Sequence, residues 1–215
     1  MADEDRKNRL LGLLGVGLGI AGLLLLGYLL RHLLWGDVSI SASPATTAVP
    51  PTPTRALIDL WDAYGQARTV AQARAEDVQL VAASTQWQAA SEQALLTGAS
   101  NWSFVFYSAA SDSVLDIVIG VGETQVVNQT RVWVAPKIMA EGAWQSGPKD
   151  ALLVFLAYGG RTFLDEHPQA VVDLHLAESD SGSPVWAIVA LDVSDRSLLS
   201  VLIDAGTEQV LSVAP

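Results

Sequence analysis

The 215-residue chain contains no cysteine. That excludes disulfides, thiolate zinc sites, iron–sulfur clusters, covalently attached c-type haem and a cysteine nucleophile. Histidine is nearly as scarce, with only His32, His167 and His175 present. A Ser-His-Asp triad would have to be built on one of the last two. The HExxH and GxSxG patterns are missing. The only glycine-rich stretch of phosphate-loop appearance, Gly15–Gly19, lies inside an apolar run where it cannot cradle a phosphate.

Positive charge is also in short supply. Residues 37–215 carry 20 acidic and 8 basic side chains, within a formal net charge of −11 for the whole chain. A surface of that sign repels phosphates, so nucleic acid is not an expected partner. No cofactor, metal or catalytic set is expected. Asp173 and His175 stand two apart on one strand face, but two ligands fall short of a metal site. Asp165, Glu166 and His167 read as the end of a helix.

What is abundant is aliphatic sequence. Leu10–Leu34 is 25 residues long, interrupted only by glycines, Tyr28, Arg31 and His32. A helix of that length rises about 37 Å, enough to cross a hydrocarbon core of about 30 Å, and it is too long for a cleaved signal core. Arg6, Lys7 and Arg9 precede it, which favours a cytoplasmic N-terminus. The expectation is a single-pass protein of the cell membrane with an extracytoplasmic C-terminal domain. Gly12, Gly15, Gly19 and Gly22 make one helix side small. Another membrane helix, or a second copy in a homo-oligomer, could approach closely there.

The remaining chain divides by composition. Residues 1–9 form the cytoplasmic end, 10–35 the membrane helix and 36–54 a Pro/Thr/Ser-rich spacer with Pro44, Pro50, Pro51 and Pro53. Two α+β units are expected at 55–137 and 138–215. The first opens with helical spacing over Arg55 to Ala75 and continues into four runs of β character. The second begins a helix at Pro148, which Gly159–Gly160 should interrupt and His167–Pro168 should stop. Four more strands follow, and in one of them Val172, Leu174 and Leu176 face one way while Asp173 and His175 face the other.

A shift of 84 residues lays Trp102–Val127 over Trp186–Leu211 without a gap, with 8 identities in 26 positions, among them Trp102/Trp186, Gly122/Gly206 and Gln125/Gln209. That points to an internal duplication in which each unit is a helix packed on an antiparallel meander. The stretch Asp204-Ala205-Gly206-Thr207-Glu208-Gln209-Val210 resembles the Asp-Ala-x-Thr-Gly-x-Val hairpin that closes PepSY-type modules, with Glu208 standing where the family has glycine. The resemblance covers residues 148–213 and, in outline, 55–135. It implies a PepSY/cystatin-like fold and an extracytoplasmic, non-enzymatic role in binding, with no catalytic residues to carry over.

Seven tryptophans are present. Trp61, Trp102, Trp133 and Trp186 sit on expected elements and read as core. Trp87 and Trp144 fall near loops and are the candidate partner contacts, since tryptophan is enriched where partners bind. The expected function is therefore a membrane-anchored binding or regulatory protein acting through protein–protein contacts, with lipid and another membrane or extracytoplasmic protein as partners. An accessory single-pass subunit of a larger membrane complex, for instance in electron transport, fits the same topology.

Overall fold

The structure is a computed structural model that describes residues 57–140 and 142–214. The first helix, α1, spans Leu60–Gln72. It starts later than the spacing predicts because Ile58 is extended, its N–H bonded to the carbonyl of Ala99 at 3.0 Å. Asp59 then caps the helix by accepting from the Trp61 amide at 2.8 Å. Leu60, Ala63, Ala67 and Ala71 recur at three and four residues and are all buried. The three alanines let the helix lie close against its sheet.

The meander after it comprises β1 (Gln79–Trp87), β2 (Asn101–Ser108), β3 (Ser113–Gly120) and β4 (Glu123–Arg131). A short helix, α2 (Glu92–Thr97), capped by Ser91, interrupts the β1–β2 connection. The crossover from β4 carries α3 (Pro148–Phe155) and α4 (Arg161–Glu166). Between them the helical path breaks at Tyr158 (φ −99°, ψ 35°) and Gly159 (φ 106°), at the glycine pair where an interruption is expected. Strands β5 (Val171–Glu178), β6 (Pro184–Asp192), β7 (Ser197–Asp204) and β8 (Val210–Ala214) complete the chain.

All eight strands belong to one antiparallel sheet in the order β4-β3-β2-β1-β5-β6-β7-β8. The centre is the pairing of β1 with β5 over six residue pairs, from Ala82↔Ala177 to Trp87↔Val172. This corrects the expected fold class. Two separate helix-on-meander units do not describe the molecule, because the strands form a single continuous sheet within one compact unit. The physical reason lies at the seam. Each meander alone would leave its first strand as an open edge, and pairing the two edges satisfies the N–H and C=O groups of both. No helix among the described residues is long and apolar enough to cross a membrane. The expected membrane segment, residues 10–35, and the spacer, 36–54, lie outside the described residues.

The core lies on the helical face of the sheet. Trp102, Phe104, Phe106, Leu115, Ile117 and Ile119 line it on one half, and Val172, Leu174, Leu176, Trp186, Ile188 and Val201 on the other. Helix α1 packs over β2 and β3, and α3 over β6 and β7. The two buried indoles fasten the helix starts. Trp102 Nε1 donates to the carbonyl of Ile58 at 3.3 Å, and Trp186 Nε1 to that of Ser146 at 3.2 Å. Each acceptor is the residue just before a helix cap.

Two backbone positions generate predictions. A Cβ on Gly160 would lie 2.5–2.7 Å from three ring atoms of the fully buried Phe155. Gly160→Ala is expected to destabilise by about 1–3 kcal/mol, the usual range for overpacking, as a lowered midpoint in urea unfolding. Glu208 sits in the left-handed region (φ 60°) in the β7–β8 turn, where a Cβ costs about 1–2 kcal/mol. Glu208→Gly should raise stability in the same assay by about 0.5–1 kcal/mol, once the greater freedom of the unfolded glycine is subtracted.

Candidate functional site

Regular alternation along the strands puts every second residue on the face opposite the helices. Val105 and Val118 from the first four strands, and Val185, Val189, Leu191 and Leu202 from the last four, are half-buried there, and Leu198 is 40% exposed. Across the middle of this face runs a more polar strip. Register places Val118 beside Ser103, Ser103 beside Ser84, Ser84 beside His175 and His175 beside Ala187. The next pair across the seam is Gln86 and Asp173, joined by a 2.6 Å hydrogen bond from Nε2 to Oδ1.

The electrostatics of the face follow from its breadth. His175 stands open to solvent at the seam, yet the protein beneath and beside it disfavours the charged imidazolium and lowers its pKa. Burial likewise raises the pKa of Asp116, partly offset by a hydrogen bond from Asn128. Asp204, at the end of β7, goes the other way. The Thr207 amide, followed by the Thr207 hydroxyl and the Gly206 amide, holds its pKa below the usual carboxylate range. These bonds build the turn that the sequence likens to the PepSY hairpin, with Glu208 itself supplying the left-handed residue.

The tryptophans distribute differently from the sequence reading. Trp144 is not available to a partner. It is 6% exposed, stacked on Trp61 with centroids 4.2 Å apart and planes at 8°, and set edge-on to Tyr64 at 5.9 Å. Its loop is pinned to the end of β7 by the Gln145 and Ser146 amides, both bonded to the Ala205 carbonyl. Trp87 is half-buried, its indole N–H donating to the Gly98 carbonyl at 2.9 Å. Trp102 and Trp186 are core as expected, but Trp61 is 47% exposed and Trp133, expected in the core, is 99% exposed beside Val134 at 81%. Strand β4 ends at Arg131, two residues too early to bury it. Gly12, Gly15, Gly19 and Gly22 lie outside the described residues.

The structure also assembles a group that sequence reasoning missed. His167, at the end of α4, meets Asp192, the last residue of β6, and Asp195 of the β6–β7 turn. Asp173 and His175, the pair singled out from the sequence, share the helix-free face and gain no third ligand there among the described residues.

No protein-family model matches this chain, and no curated protein does. A crystal structure from Clostridium difficile 630, of a protein assigned as a lipoprotein, aligns with a TM-score of 0.47 at 12% identity, over 73% of this chain and 97% of that one. That similarity is too distant to assign a role.

The two loop tryptophans give a direct contrast. Trp144→Ala should cost about 3–5 kcal/mol, as expected for emptying a buried indole site. Trp133→Ala should leave stability within about 0.5 kcal/mol of the parent, as for a free surface residue. Urea unfolding followed by circular dichroism separates the two.

Proposed function

We propose that this chain is a non-enzymatic, membrane-anchored binding protein whose extracytoplasmic domain acts through protein–protein contacts on the helix-free face of its sheet. The carrying observation is that face. Eight strands wide, it leaves Val105, Val118, Val185, Val189, Leu191 and Leu202 half-buried and Leu198 open, with no helix over them among the described residues. Apolar surface of this kind, divided by a polar strip, is the composition of a docking surface. The apolar run at 10–34 supports the anchor, and the likeness of residues 204–210 to a PepSY hairpin supports a binding role.

The test uses the full-length chain in mild detergent. Affinity purification from its native membranes should recover a stable partner. Leu198→Glu should cut that recovery at least about tenfold, since a carboxylate would be buried against apolar surface, while the melting temperature stays unchanged. Recovery of nothing by the wild type, or equal recovery by the variant, would sink the proposal. Co-migration with a cofactor-bearing complex on native gels would favour the accessory-subunit reading.

A further inference from the structure

The chain brings one imidazole and two carboxylates together from elements that are separate in sequence. His167 follows α4, and its amide closes the helix by donating to the Phe163 carbonyl at 2.9 Å. Pro168 prevents the helix from continuing, and the Phe163 ring lies against the imidazole with centroids 4.5 Å apart. The ring is therefore held from two sides. Asp192 is the last residue of β6, and Asp195 lies in the turn to β7.

The carboxylates share one arrangement. Asp192 Oδ1 accepts from the Ser194 amide at 2.8 Å and the Ser194 hydroxyl at 2.6 Å. Asp195 Oδ1 accepts from the Ser197 amide at 2.9 Å. In both residues one oxygen is held by the protein and the other, Oδ2, faces His167 Nδ1, at 3.5 Å from Asp192 and 3.1 Å from Asp195. The Asp192 side chain is only 8% exposed. Its Oδ2 contact with Nδ1 is longer than an ordinary hydrogen bond, about 2.7–3.2 Å.

We infer that His167, Asp192 and Asp195 bind a divalent first-row transition ion, of which Zn²⁺ is the probe of choice. The three donor atoms lie within 4.8 Å of one another. Zinc bonds of about 2.0–2.2 Å to nitrogen and carboxylate oxygen set neighbouring donors about 3 to 3.5 Å apart, matching both separations from Nδ1. One nitrogen and two oxygens suit zinc better than calcium, which takes oxygen donors. The Asp192 side chain forms the closed side of the site. The Asp195 side chain, 48% exposed, forms the open one, through which the ion enters and water completes its coordination. The hydrogen bonds to each Oδ1 are the supports that orient metal-binding carboxylates. An ion held here ties the end of α4 to the β6–β7 turn. The inference is independent of the docking face.

The full-length chain, treated with chelator and dialysed, is titrated with Zn²⁺ by calorimetry, and its melting temperature is followed in parallel. One ion per chain should bind, with a saturable rise in melting temperature. Asp195→Asn, at a half-exposed position, and His167→Gln should each weaken binding about tenfold to a hundredfold, and Asp195→Asn should leave the metal-free melting temperature unchanged. Absence of binding up to about 100 μM Zn²⁺ would overturn the assignment, the three groups then being held together by their own polar contacts alone. Binding by either variant at wild-type strength would overturn it too, by placing the ion elsewhere, for example at His32 or His175.

Discussion

Strands β1 and β5 each open a run of four, and each would present an unpaired ladder if the other were absent. Their pairing over six residue pairs closes both ladders at once. Each hydrogen bond across the seam contributes on the order of 1 kcal/mol net, and each one left buried without a partner would cost more. The rest of the topology follows from this pairing. With one side of β1 taken by β5, β2 must add on the other side, and β6 must add beyond β5. Each later strand hairpins outward, which yields the mirrored order and leaves β4 and β8 as edges. At about 4.8 Å per strand the sheet is about 34 Å across, far wider than either run alone.

That width requires cover, and the connections supply it on one side only. The chain leaves β4 at one edge and must return to the centre to begin β5. Along the way its backbone amides bond the carbonyls of Asp112, Leu80 and Ala205. Met139 and Trp144 from this crossover join the core, as do Leu152 and Phe155 from α3. The sheet thus acquires its second covering helix from the same segment that crosses it. The two indole hydrogen bonds, to Ile58 and Ser146, fix where the covering helices begin. The other face receives nothing comparable from the described chain. Its side chains stay half-buried because a broad sheet shields its own middle.

Local features of this fold are legible in the sequence because they rest on period and on special residues. The alternation at Val172, Leu174 and Leu176 reads directly, and all three are fully buried. The glycine pair at 159–160 marks the helix break, and Pro168 marks the helix end. What joins elements distant in sequence is not legible in this way. Nothing local to Ala82–Trp87 or Val172–Ala177 says that they are neighbours, so two units are the natural reading and one sheet is the fact. The tryptophans fail for a related reason. Trp133 continues the β pattern, but its strand stops at Arg131. Trp144 sits in a loop, yet that loop is folded back over Tyr64. His167 and Asp192 are 25 positions apart, and only the return of β6 toward the end of α4 brings them together. The left-handed backbone at Glu208 had a signal, the glycine that a PepSY hairpin carries there, but a non-glycine side chain hides it.

Charge links the open face to the character of a partner. Asp116, Asp173 and Asp204 all lie on the helix-free side, while His175, the base at its centre, is held toward its neutral form by desolvation. The face is therefore apolar with a negative cast, within a chain of net charge −11. Two copies meeting through it would bring like charges together, which costs free energy and discourages self-association. The edges follow the same logic. Strand β4 shields its free ladder with exposed polar side chains such as Thr124, Gln125, Gln129 and Arg131, whereas β8 is only five residues long and leaves Leu211 and Val213 exposed. The shortness of β8 limits what a second copy could pair with along that edge, and like charges oppose a second copy on the face. For the docking role proposed above, the same carboxylates favour a covering surface with an apolar contour and basic or neutral rim groups over a second copy of this one.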